Sequence, residues 1–166
     1  MDENPGDLAT VAALIQDIRV GLLTTLDEQG RFHTRPVQTL QVEAAQALWF
    51  FTDWSTQKVS ELERESRVSV GYADVSGNRF VAVSGSAQLL RDANKAKQLW
   101  STEQLAYYPG GPGDARLALL RVQIEQAEYW LAPGHAAYVV AAARAVLTGK
   151  PAGVVGENRK IDYDLD

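Results

Sequence analysis

Cysteine is absent from all 166 residues, which excludes disulfides, thiolate metal centres and cysteine nucleophiles. Histidine is nearly absent: His33 and His135 are the only two, too few for a histidine-rich metal site. No run approaches 18 apolar residues, so nothing in the sequence reads as a membrane-spanning helix. Positive charge is in deficit, with 16 Lys and Arg against 21 Asp and Glu, a net −5. That balance argues against a general nucleic-acid binder, which needs a basic patch for phosphates. It leaves room for one local pocket that holds a single phosphate. The first residues, Met1 to Pro5, are acidic where a secretory signal would be basic, so the cytoplasm is the expected location.

What is present reads as an ordinary globular domain. At 46% hydrophobic and 22% charged, the chain can bury a real core. Its length predicts one domain over residues 1–166, with 1–6 a loose leader and 151–166 a polar tail wrapping the surface. Leu8, Val11, Ala12, Ile15 and Ile18 recur at helical spacing, and Asp7 stands where an N-cap belongs. Strands are expected over 20–26, 32–42, 47–52, 67–73, 79–90 and 115–130. Asp27-Glu28-Gln29-Gly30 turns the first pair into a hairpin. Gly85 marks a bulge or bend inside the fifth strand. Helices are expected over 56–66 and 93–100. Residues 136–147 read as a short strand, 138–140, running into an alanine-rich helix. Six mostly antiparallel strands with three or four helices and no βαβ rhythm point to a mainly β barrel with flanking helices.

Three segments carry candidate chemistry. In Thr52-Asp53-Trp54-Ser55-Thr56-Gln57-Lys58 a strand ends, hydroxyls cluster and a helix opens with a lysine in its first turn. Free N–H groups at a helix start, with hydroxyls and an ammonium, form an anion site. The plainer reading is a capped helix with a solvated lysine. In Thr34-Arg35-Pro36-Val37, Pro36 cannot donate to a ladder. The segment is either a ligand-facing strand or a protected edge with Arg35 in a surface ion pair. In Glu128-Tyr129-Trp130 the indole is a wall for a flat ring, or else core or dimer contact. Glu61, Glu63 and Glu65 read as a solvated helix face. Gly110-Gly111-Pro112-Gly113 lacks the lysine of a phosphate loop and reads as a turn.

Together with the tail Gly156-Glu157-Asn158-Arg159-Lys160-Ile161, these segments resemble the FMN-binding split-barrel family of pyridoxamine 5′-phosphate oxidase. The resemblance is nearest to its bacterial general-stress-protein branch and covers nearly the whole chain. It implies a six-stranded antiparallel split β-barrel and a homodimer with flavin mononucleotide (FMN) at the subunit interface. By position, Arg35 and Lys58 would meet the FMN phosphate, helped by Thr56 and Gln57. Pro36, Val37, Thr52 and Asp53 would line the ring through their backbone, and Trp130 would approach from the partner subunit. Flavin adenine dinucleotide (FAD) or a deazaflavin in the same groove is the alternative cofactor. The vitamin-synthesising oxidases of the family carry a second basic residue where this chain has Gln57 and a lysine where it has Leu40. Their Arg-x-His motif after the tryptophan is missing from residues 131–136, so pyridoxamine 5′-phosphate oxidase activity is not expected. Stress-branch relatives often have aspartate where this chain has Leu131. The resemblance therefore leaves three functions: a flavin-dependent oxidoreductase, a flavin reservoir or sensor without turnover, and an interaction protein that kept the barrel without the cofactor.

Overall fold

The fold is given by a computed structural model that describes residues 5–133, 135–151 and 156–163; Gly134, part of the expected strand-ending loop, lies outside them, and so does the His135 side chain. Helix α1 (Pro5–Ile18) lays Val11, Leu14 and Ile15 into the core, as the apolar spacing requires. It starts earlier than expected. Asp7 is inside its first turn, where its carboxylate accepts a hydrogen bond from Tyr129 at 3.0 Å, so it is not the N-cap. Strands β1 (Val20–Leu26) and β2 (Phe32–Gln38) form the expected hairpin. Gly30 takes a φ of 73° at its turn.

The expected strand over 32–42 is in fact two. At Thr39-Leu40 the chain leaves β1 and restarts as β3 (Gln41–Glu43) against β4 (Ala47–Asp53). Composition does not mark this break, because partner choice decides it. Helix α2 (Gln57–Arg64) follows, then β5 (Arg67–Asp74) and β6 (Arg79–Leu90). In β5 the buried residues Val68, Val70 and Tyr72 share one face. Helix α3 (Ala93–Leu99) is capped by Asp92, which accepts from the Asn94 and Lys95 N–H groups. Two short 3-10 turns lead into the long β7 (Leu117–Leu131).

The eight strands form one antiparallel sheet in the order β2-β1-β5-β6-β7-β4-β3. One edge of β7 pairs with β6. Its other edge takes β4 over Leu117–Gln123 and β8 (Glu157–Asp162) over Gln126–Leu131. The strand count thus exceeds the expected six by β3 and β8. Instead of wrapping the surface, the tail pairs with β7 and buries Ile161 and Tyr163. A single inward isoleucine gave it no visible alternation, yet the second half of β7 offers it an open edge. The 138–140 stretch is helical, part of α4 (His135–Thr148), because its alanine surroundings favour a continuous helix over an isolated strand.

Gly85 sits at a register shift between β6 and β7. A β-carbon there would lie 1.9 Å from the Gln123 carbonyl oxygen, so only glycine lets the two backbones approach. Among the described residues no helix is long and apolar enough to cross a membrane.

Candidate functional site

The site grows from the junction of β4 and α2. Strand β4 ends with Thr52 buried and Asp53 half-buried. Asp53 then turns the chain: its Oδ1 accepts from the Ser55 N–H at 2.8 Å and the Ser55 hydroxyl at 2.6 Å. These bonds hold its carboxyl below the usual range. Thr56 is the N-cap residue, but its hydroxyl donates to the Asp53 carbonyl and caps nothing. The first N–H groups of α2 therefore have no side-chain cap. Gln57 and Thr56 are exposed at this end.

Lys58 is in that first turn. Its ammonium donates to the Thr52 hydroxyl at 2.9 Å and, among the described residues, meets no carboxylate at ion-pair distance. Burial pushes its pKa down, the nearby Arg35 charge pushes it further down, and Asp53 opposes both. A partly desolvated cation beside a second cation calls for an anion.

Arg35 is more tightly held than a surface ion pair would be. Strand β2 turns His33, Arg35 and Val37 to one side. There the Arg35 guanidinium donates to Glu61 Oε2 at 2.7 Å, to the Thr25 hydroxyl and to the His33 carbonyl at 3.0 Å. Glu61 is therefore not part of a solvated face. It is 2% exposed and also accepts from the Thr25 hydroxyl at 2.5 Å and pairs with His33 Nδ1 at 2.7 Å. Burial works to raise its pKa, but the hydrogen bonds from Thr25, Arg35 and His33 outweigh it, and the result lies below the ordinary value. The signal in the sequence was its position. Glu61 is three residues from Lys58 and next to the inward Leu62, on the face α2 turns to the sheet. Glu63 on the same helix is exposed, as expected.

Lys58 lines a cleft of about 410 Å³. Pro36 and Val37 from β2 line it too, so three of the expected site residues meet there. Val20, Gln38, Leu40 and Phe51 extend the wall. Reading the sequence missed Gln104, Tyr107 and Tyr108, which close the cleft from the 3-10 turn Thr102–Ala106 and the residues after it. Tyr108 packs edge-on against Phe51 with ring centres 6.3 Å apart. Burial, helped by the Asp53 charge, raises its hydroxyl to about 12. Trp130 is elsewhere. It pairs with Phe80 and Asn158 at the far end of β7, while Thr52 pairs with Ala118 near the start. Twelve residues of strand at ~3.3 Å each, about 40 Å along β7, separate the two ends.

The chain was compared with known proteins. The family model described as pyridoxamine 5′-phosphate oxidase like matches residues 6–152. The protein bli-3 of Neurospora crassa is 24% identical over 165 residues, covering 93% of this chain and 78% of that one. Among solved structures, a Clostridium acetobutylicum protein related to general stress protein 26 of Bacillus subtilis is similar over 98% of both chains, with a TM-score of 0.72 at 18% identity. That likeness concerns the fold. The general stress FMN/FAD binding protein of Xanthomonas citri is 30% identical, with a TM-score of 0.63, over 75% of this chain and 87% of its own. The family model spans most of the sheet, the β4–α2 junction and the cleft, and by it the chain belongs to the pyridoxamine 5′-phosphate oxidase like family.

Proposed function

We propose that this chain is a general-stress-type flavoprotein that binds FMN in the cleft beside Lys58 and serves as a flavin-dependent oxidoreductase. The observation that carries the reading is Lys58 itself: a half-buried ammonium with no carboxylate partner among the described residues, in the first turn of a helix without a side-chain cap, lining a cleft whose wall includes Val20, Val37, Leu40 and Phe51. That combination fits a flat ring ending in a phosphate. The FMN/FAD binding relative from Xanthomonas citri supports the same cofactor class. Lys58 and the first N–H groups of α2, with Thr56 and Gln57, hold the phosphate, and Arg35 adds its charge from within the Glu61 cluster. The backbone at Pro36, Val37, Thr52 and Asp53 lines the ring. When bound, the flavin supplies the redox chemistry. The described lining of the cleft contributes no carboxylate and no histidine, so the protein's part is position and electrostatics.

The same reading makes the protein a homodimer in the cytoplasm. Trp130 is not in the described lining of its own cleft, and in this reading it serves the partner's. Val20, Leu22 and Phe32 on the hairpin, and Val139, Val140, Val146 and Leu147 on α4, are exposed apolar residues that a second copy would cover. The test is the absorption spectrum of the purified protein with its released cofactor identified by mass. Bands near those of free flavin and a mass of FMN support the proposal. A colourless protein that takes up no added FMN refutes it. Reduction of the bound flavin by a reduced nicotinamide nucleotide, followed by electron delivery to an acceptor, separates an oxidoreductase from a reservoir.

A further inference from the structure

His33 stands between two carboxylates from different parts of the fold. Its Nδ1 is 2.7 Å from Glu61 Oε1 on α2, and its Nε2 is 3.9 Å from Asp27 Oδ2 in the β1–β2 turn. A carboxylate only accepts, so Nδ1 carries a hydrogen and donates it to Glu61. In the neutral ring Nε2 then turns a lone pair toward the Asp27 carboxylate, and a proton on Nε2 makes that contact an ion pair. The other charged groups at this point are Arg35, on the same face of β2, and Arg31, whose Nε donates to Asp27 Oδ2 at 2.7 Å. Arg31, Arg35, Asp27 and Glu61 cancel in charge, so a protonated His33 leaves the cluster positive. The imidazole is 39% exposed and exchanges its proton with solvent.

Glu61 is the counter-ion that Arg35 and His33 share. Arg35 Nη2 donates to Glu61 Oε2, while Nη1 donates to the Thr25 hydroxyl and the His33 carbonyl. The guanidinium is thus fixed in place, and its Nε–H and one Nη2–H have no partner among the described residues. What limits it as an anion partner is the Glu61 charge beside it. With His33 neutral, Arg35 has that charge to itself. With His33 protonated, one carboxylate serves two cations. We propose that His33, acting through Glu61, sets how much of the Arg35 charge is available to a phosphate, so that flavin-phosphate binding strengthens as His33 is protonated. This rests on the flavin reading above, in which Lys58 and Arg35 meet the cofactor phosphate. The two cations are neighbours, since the Arg35 charge helps to push the Lys58 pKa down. His33 is a positioning residue here: it acts on Arg35 through the shared carboxylate.

The test measures FMN and riboflavin affinity of wild type and His33→Gln by flavin fluorescence at about pH 5 and pH 8, the limits between which imidazole changes charge. The glutamine amide keeps a donor for Glu61 and does not titrate. The FMN phosphate itself titrates near about pH 6, equally for both proteins, so the comparison between them isolates His33. The two are expected to bind FMN alike at the higher pH, and the wild type about three- to fivefold more tightly at the lower, with riboflavin affinity equal throughout. Glu61→Gln is expected to erase the difference that His33→Gln makes. In the wild type alone, nuclear magnetic resonance should show the His33 imidazole taking up its proton at a higher pH with FMN bound than without, because the coupling is reciprocal; this measurement stands whether or not the variants fold. Parallel FMN curves for wild type and His33→Gln overturn the inference. So does a His33 titration that FMN leaves in place, or a His33→Gln effect that persists in the Glu61→Gln background. A wild-type chain that takes up no FMN at either pH overturns the flavin reading together with the inference, whereas every other negative result overturns the inference alone.

Discussion

Replacing Glu61 with alanine should destabilise the protein far more than any other acidic substitution on α2. Glu61 is 2% exposed and receives three hydrogen bonds, from Thr25 at 2.5 Å and from His33 and Arg35 at 2.7 Å each. Its removal leaves the Arg35 guanidinium, whose side chain is 23% exposed, without its counter-ion. Breaking a buried pair by deleting one partner costs about 3–5 kcal/mol. The partial exposure of Arg35 and His33 puts the expectation at the lower end, about 3 kcal/mol. For a domain of this size that is a fall of about 6–12 °C in melting temperature. Glu63→Ala, on the exposed face, should change stability by under ~0.5 kcal/mol. The pH dependence has a definite sign. Because the Glu61 pKa is below its ordinary 4.5 in the folded chain, its contribution is present above that value and is lost as pH falls through the folded pKa. The difference between wild type and Glu61→Ala should therefore shrink as pH falls below about 4.5. Urea titrations at pH 7 and at pH 4 measure both quantities. A loss at pH 7 no larger than that of Glu63→Ala would refute the description of Glu61 as a buried counter-ion.

Other outcomes follow from the same geometry. Gly85→Ala should cost on the order of 1–3 kcal/mol in thermal melting, since its β-carbon would meet the Gln123 carbonyl at 1.9 Å; an unchanged melting temperature would mean that the bulge yields freely. Light scattering should give twice the 18.2 kDa chain mass, and a monomer at micromolar concentration would contradict the placement of Trp130 in a partner's site. With saturating FMN, pyridoxamine 5′-phosphate should not be oxidised at rates near 1 s⁻¹, the low end of typical enzymes, because the described lining of the cleft has no second cation for the substrate phosphate; steady production of hydrogen peroxide at that rate would contradict this.

Much of the sheet was legible because period-two patterns and turn residues are local signals. β1 and β6 fall on the predicted residues, and the Gly85 bulge is where the sequence put it. What failed depended on distant partners. The break at Thr39-Leu40 exists because β3 pairs with β4 and not with β1. β8 exists because the second half of β7 accepts it. The same holds for the site. Lys58, Pro36 and Val37, from two of the segments singled out in the sequence, line one cleft. The burial of Glu61 needed knowledge that Thr25, His33 and Arg35, 26 to 36 residues earlier in the chain, would meet it. Gln104 carried no motif at all, and only the cleft shows what surrounds it.

The central claim, that Lys58 holds a flavin phosphate, is tested most directly by comparing FMN with riboflavin on wild type and on Lys58→Ala by calorimetric titration. The two ligands share the ring and differ in the phosphate. Losing a charge-assisted hydrogen bond to that phosphate is worth roughly 1.5–3 kcal/mol, so Lys58→Ala should weaken FMN binding by about tenfold or more and leave riboflavin nearly unchanged. Equal losses for both ligands, or none for either, would contradict the claim.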